Sequence, residues 1–150
     1  LIPACKVLSV RKIVADYWCE GELWKELSSF AEKNKIAISG STFSIYHDTE
    51  FKERNVDIEL CAPVNTNGNV EPPFNLRTTE SVLNMACTMV YGEFSNIRNG
   101  YLAFAEWLEK NSGYKMTAPT RQIVHRGPWN ESDPEKYLTE IQIPLVSDTV

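Results

Sequence analysis

The chain has 150 residues and a formal net charge of −5, with 43% hydrophobic and 23% charged residues. That length buries one core well and is too short for two comfortable domains. The acidic balance opposes a phosphate backbone, whose recognition needs a Lys/Arg surface, and no apolar run approaches the roughly 20 residues of a membrane helix.

No secretory leader is legible, and the chain opens on Leu1 rather than Met, so a piece of a longer protein is expected. Cys5, Cys19, Cys61 and Cys87 show no CxxC or Cys/His spacing and read as reduced, buried thiols of an intracellular, cytoplasmic protein. His47 and His125 lie far apart without ligand spacing, so neither a metal nor a cofactor is expected.

Along the chain, KVLSVRKIVA (6–15) is a β-branched run suited to a strand. Leu23, Leu27, Phe30 and Ala31 follow at helical spacing. STFSIYH (41–47) and NVDIELCAPV (55–64) alternate with period two, and the polar DTEFKER (48–54) between them predicts a hairpin loop. NTNGNVEPPFN (65–75) is a linker by composition. A second strand–helix–strand–strand series then runs through SVLNMACTMVY (81–91), a helix carrying Ile97, Tyr101, Phe104, Ala105 and Leu108, TRQIVHR (120–126) and YLTEIQIPL (137–145).

The second series repeats the first. VDIELCAPV lines up with LTEIQIPL, placing Glu59 on Glu140 and Pro63 on Pro144. SIYHD (44–48) lines up with QIVHR (122–126), and FAEKN (30–34) with WLEKN (107–111). Three ordered matches at nearly one offset indicate an internal duplication of about 75 residues, too long for a solenoid unit. The expected fold is α+β: two βαββ units about a pseudo-twofold axis, each covering a sheet face with its helix. Residues 1–150 then form a single domain, with repeats at about 5–64 and 76–146 joined by 65–75.

Glu140 is the anomaly, because Glu is a poor strand former and sits mid-strand in YLTEIQIPL. Strand parity sends Thr139, Ile141 and Ile143 toward the helix, and Val56, Ile58, Leu60 and Ala62 in the other half. Glu59 and Glu140 then point away from the helices, and the same parity sends Ser44, Tyr46, Gln122 and Val124 with them. Two readings of those faces stand: solvated surfaces, or the walls of a groove between the halves.

EGELWKEL (20–27), FSIYHD with DIELCAPV, and GPWNESDPEKYLTEIQIPL (127–145) together resemble the gyrase-inhibitor-like (GyrI-like) effector-binding fold. The likeness is strongest to the drug-sensing domain that follows the DNA-binding part of MerR-type multidrug regulators, and it runs from about Cys5 to Val146. It implies a pocket for lipophilic, often cationic, molecules between the halves, walled by aromatic side chains and holding an acid. On that resemblance Trp24, Tyr137, Phe94 and Ile97 supply walls, and Gln122 and Val124 occupy the groove-facing strand position. Gln122 stands where drug-sensing relatives often carry Glu, which puts cation selectivity in question and passes the acidic role to Glu140. Tyr46, Glu59 and Trp129 complete the candidate ligand-binding residues. The resemblance further implies that DNA is reached only through an N-terminal domain absent from this chain, and that the full-length regulator is a homodimer. Other branches of the fold suggest two alternatives. One is a hydrolase of small reactive electrophiles, with Glu140 as general base beside Tyr46 or Tyr137. The other is a protein-binding inhibitor of a topoisomerase-like partner.

Overall fold

The computed structural model describes residues 1–48, 52, 54–128 and 130–147, without the side chain of Trp18. Eight strands alternate with two helices in the order β1 (Lys6–Val14), α1 (Glu20–Lys33), β2 (Phe43–Tyr46), β3 (Val56–Pro63), β4 (Phe74–Thr78), β5 (Met85–Tyr91), α2 (Ile97–Lys110), β6 (Tyr114–Met116), β7 (Thr120–Arg126) and β8 (Leu138–Ser147). They form one antiparallel sheet ordered β4-β1-β3-β2-β7-β8-β5, with β6 paired to β8. A short 3-10 turn leads into each helix, Tyr17–Cys19 before α1 and Phe94–Asn96 before α2.

The duplication is visible in the register. At the seam between the halves, Ser44 of β2 faces Gln122 of β7. On either side, Phe43↔Cys61, Ile45↔Glu59 and Tyr46↔Ile58 are mirrored by Arg121↔Gln142, Ile123↔Glu140 and Val124↔Thr139. Two elements lie outside the expected βαββ pattern. β4 begins inside the stretch that reads as linker and pairs with the free edge of β1. β6 is a three-residue exposed strand with no alternation to betray it. Most of the turn expected over 48–54, and Trp129, lie outside the described residues.

Each helix covers its own core. Leu23, Leu27 and Ala31 of α1 pack on Leu8, Val10, Ile58 and Leu60, as their helical spacing requires. Phe104 of α2 packs on Val90, Ile141 and Ile143, with Ile97, Tyr101 and Leu108 around it. α2 comes close to the sheet at Gly100, where an added Cβ would stand 2.6 Å from Val90 Cγ2 and 2.9 Å from Ile141 Cδ1. A smaller apolar cluster of Val7, Ile45 and Cys61 lies on the reverse face, with Cys5 and Phe43 against it; of the four cysteines expected to be buried only Cys61 is, Cys5 and Cys19 being half-buried and Cys87 exposed.

That third cluster corrects the parity of β2 and β7. Residues paired across strands share a face. Ser44↔Leu60 and Tyr46↔Ile58 therefore put Ser44 and Tyr46 on the helix side, and Gln122↔Ile141 and Val124↔Thr139 do the same for Gln122 and Val124. β2 is covered on both faces, so Ser44, Ile45 and Tyr46 are all buried and the alternation that parity relies on is lost. Glu59 and Glu140 do lie on the reverse face, opposite the four residues expected to join them.

Candidate functional site

On the helix side, the seam carries a polar cluster built on Glu20, the first residue of α1. Its Oε1 accepts hydrogen bonds from Ser44 Oγ at 2.6 Å and from Tyr46 Oη at 2.9 Å. Gln122 continues the cluster into the second half: its Oε1 lies 3.4 Å from Tyr46 Oη, and its Nε2 donates to Tyr101 Oη at 3.0 Å. The Tyr17 ring stands 5.9 Å from that of Tyr46. Tyr46 is 9% exposed and Tyr17 39%, so the first ring is buried and the second accessible. Three phenols from both halves thus gather around a single carboxylate.

The electrostatics follow from burial. Desolvation pushes the Glu20 carboxyl above its ordinary range, and the Ser44 and Tyr46 hydrogen bonds only partly offset it. The phenols of Tyr17, Tyr46 and Tyr101 are also pushed up, by burial first and with the Glu20 charge adding to each. No cation among the hydrogen-bonding partners answers the acid. An acid answered by neutral hydroxyls alone is costly to keep ionised once it leaves water.

The sequence-derived candidates divide between the faces. Tyr46, Gln122 and Val124 lie on the helix side, the first two within the cluster. The Phe94 and Tyr137 rings meet in a tilted pair with centroids 5.1 Å apart at the entrance to α2, and Ile97 packs on the second core. Trp24 is partly buried against the first core. Glu59 and Glu140 are removed from this group by the whole thickness of the sheet. Nor does Glu140 share a face with Tyr46, one of the two phenols expected beside it for hydrolysis.

The reverse face holds a cavity of about 410 Å3, lined by Ser9, Arg11, His47, Glu59, Asn75 and Arg77 among others. Its acid is already satisfied. Arg77 grips Glu59 with Nε and Nη2, both at 2.7 Å, and His47 Nε2 stands 2.9 Å away. Burial pushes the Glu59 carboxyl up, but the hydrogen bonds from His47, Arg77 and Ser9 outweigh it and hold it far below its ordinary range. Glu140 repeats the arrangement more openly, with His125 Nε2 at 2.9 Å and Gln142 Nε2 at 2.6 Å. Burial again opposes and these donors prevail, so its carboxyl is lowered. Both acids thus already have side-chain partners within the fold, Arg77 and His47 for Glu59 and His125 and Gln142 for Glu140.

Sequence reasoning missed Glu20, Tyr17 and Tyr101 as site residues. An acid in the first helical turn is commonplace, because it complements the helix dipole, and Tyr101 satisfied the helical period as a core residue. Among the described residues, no three His, Cys, Asp or Glu side chains converge as a metal site would, and no helix is long and apolar enough to cross a membrane.

No curated protein matches the chain. Solved structures do. The chain is 31% identical to EcmrR in a cryo-EM structure of its complex with DNA, with a TM-score of 0.87, covering 96% of this chain and 55% of that one. It is likewise 31% identical to the crystal structure of the EcmrR C-terminal domain, with a TM-score of 0.88 and coverage of 97% and 93%. The chain thus spans little more than half of EcmrR and nearly all of its C-terminal domain. A hydrolase from Listeria innocua, 13% identical with a TM-score of 0.63 over 97% of this chain and 89% of its own, shares the fold. A sequence profile of GyrI-like small molecule binding domains matches residues 2–146, and with that span and the EcmrR likeness the chain belongs to the GyrI-like small molecule binding domain family.

Proposed function

We propose that this chain is the effector-sensing domain of a bacterial multidrug transcription regulator of the MerR type, acting in the cytoplasm and taking lipophilic cations at the seam between its halves. The observation that carries this reading is the Glu20 carboxylate, raised by burial and surrounded by Tyr17, Tyr46 and Tyr101. Glu20 takes the acidic role first assigned to Glu140, and Gln122 joins the two halves by bridging Tyr46 to Tyr101. Cation–π contact contributes about 0.5–2 kcal/mol per ring, and flat rings constrain ligand shape weakly, which suits broad specificity. Phe94, Tyr137, Val124 and Ile97 extend the apolar wall into the second half. The likeness to a regulator solved on DNA supports a sensor whose DNA-binding part and homodimer contacts lie in other segments of a longer chain.

The test is Glu20→Gln, which keeps the side-chain shape and the acceptor for Ser44 and Tyr46 while removing the charge. Calorimetric titration with a lipophilic phosphonium and with a neutral ligand of the same shape is expected to show a loss of about 1.5–3 kcal/mol for the cation, roughly 10- to 100-fold, and little for the neutral ligand. Equal losses for both ligands would contradict the assignment.

A further inference from the structure

The duplication leaves the two ends of the sheet unequal. β5 stands in the second half where β1 stands in the first: Met85↔Pro144, Thr88↔Ile141 and Met89↔Glu140 repeat Val7↔Pro63, Val10↔Leu60 and Arg11↔Glu59. β1 has a strand on each side, because β4 sets Arg77, Leu76, Asn75 and Phe74 against Val7, Leu8, Ser9 and Val10. β5 has β8 on one side and, among the described residues, no strand on the other. Burial records the difference. Val7, Leu8, Ser9 and Val10 are all buried, whereas their counterparts Met85, Ala86 and Thr88 are half-buried and Cys87 is exposed. Open edges are commonly guarded by charge or proline. The opposite edge, β4, carries Arg77 and follows Pro72 and Pro73. β5 reads MACTMVY and has neither.

We infer that β5 is a dimerisation strand, which pairs antiparallel with β5 of a second copy of this chain and makes the two sheets one. Leu145 N donates to Asn84 O at 2.9 Å, and Gly92 N to Tyr137 O at 2.8 Å. Hydrogen-bonded pairs alternate along an antiparallel ladder, so the even-numbered residues between these points turn N–H and C=O toward β8. Met85, Cys87, Met89 and Tyr91 turn theirs to the open edge. One twofold register, with Thr88 opposite Thr88 of the second copy, uses every one of them: Met85 exchanges hydrogen bonds with Tyr91 of the second copy, and Cys87 with its Met89. The side chains fit the same register. On the reverse face Met85 meets Tyr91, a sulfur–aromatic contact, and Cys87 meets Met89; Met89 and Tyr91 are 44% and 67% exposed in the single chain. On the helix side Thr88 meets its own copy, a favoured cross-strand pair, and Ala86 faces Val90. No like charges oppose each other. A strand of another protein would satisfy the same backbone groups; what singles out a second copy is that MACTMVY fits its own reverse.

The experiment is sedimentation equilibrium of the chain from about 1 to about 500 μM, a range suited to a small interface, with amide hydrogen exchange read at both ends of it. The mass is expected to rise from 17.1 kDa toward twice that value. The amides of Met85, Cys87, Met89 and Tyr91 are expected to exchange at least about tenfold more slowly in the concentrated sample, while those of Ala86, Thr88 and Val90, already bonded to β8, stay unchanged. Two variants attack the edge alone. Met89→Pro removes an N–H that faces outward, which an edge strand tolerates, and Met89→Lys supplies the missing guard charge. Each is expected to weaken dimerisation at least about tenfold. A single 17.1 kDa species at every concentration overturns the inference. So does a dimer that forms without slowing those amides, or one that survives both substitutions, since its contact then lies elsewhere. Mass and exchange of the wild-type chain decide the question even where a variant folds poorly, and neither reading depends on the cation site.

Discussion

Burial lifts the Glu20 carboxyl because, among the described residues, only the neutral hydroxyls of Ser44 and Tyr46 answer its charge, whereas His47 and Arg77 hold Glu59 down against its own burial. The two acids therefore have opposite effects on stability. Glu20, with its folded pKa above the ordinary 4.5, binds its proton more tightly in the native state, so ionising it costs stability as pH rises through the folded value. Glu20→Gln is expected to melt at or above the wild-type temperature at pH 8, with the gain vanishing in acid; a clear loss at pH 8 would show that the charge supports the fold. Glu59, with its folded pKa below the ordinary 4.5, contributes stability that is complete above that value and lost as pH falls below it toward the folded value. Glu59→Gln leaves Arg77 without its partner and is expected to cost about 3–5 kcal/mol at neutral pH. Glu140→Gln, at a more open pair whose His125 side chain is 34% exposed, is expected to cost about 1 kcal/mol or less. Denaturant titration of the two variants side by side checks the ranking, and a costlier Glu140 would reverse the assignment of the better-buried network.

Among the elements, β2 and α2 show what packing demands of local sequence. β2 lies between the first helical core and the reverse cluster, so each of its last three residues must be buried. α2 closes on the sheet only because position 100 has no side chain. Alanine normally favours a helix interior by about 1 kcal/mol over glycine. Here a Cβ would stand 2.6 Å from a methyl of Val90, whose β-branched side chain cannot swing aside. Overpacking of this kind costs about 1–3 kcal/mol, so Gly100→Ala is expected to lower stability rather than raise it. Thermal unfolding of that variant reads the sign directly; a higher midpoint would mean that α2 can move off the sheet freely.

For the whole molecule, the two helical cores are separate clusters joined by one continuous sheet. The seam is the β2–β7 pairing, reinforced by Arg121 over the Phe43 ring at 5.6 Å and by the Tyr46–Gln122–Tyr101 contacts. A seam shared by backbone ladder and side chains couples the halves, and one unfolding transition is expected. Leu8→Ala in the first core and Ile143→Ala in the second are each expected to destabilise that same transition by about 2–5 kcal/mol, since both residues are essentially buried. Two resolved transitions in calorimetry, each sensitive to only one substitution, would show that the halves fold independently.

Periodicity and repetition carried the fold far. Both helices were legible because burial on one side of a helix imprints a 3.6-residue spacing, and Leu23, Leu27, Ala31 and Phe104 show it without reference to anything distant. β3 and β8 were legible for the same reason at period two, and the matched positions of Glu59 and Glu140 exposed the duplication. The site was decided elsewhere. Which face Ser44, Tyr46 and Gln122 present depends on their partners across the sheet, and a strand buried on both sides carries no alternation from which to read it. Glu59 and Glu140 drew attention as acids in strands, but Arg77 and His125, which satisfy them, are brought there only by the folded chain. Glu20 looked like an ordinary first-turn acid. Its surroundings come from β2 and, through Gln122, from Tyr101 on the second helix, by contacts between residues 21 to 76 positions apart, and a local pattern has no means of recording a long-range environment.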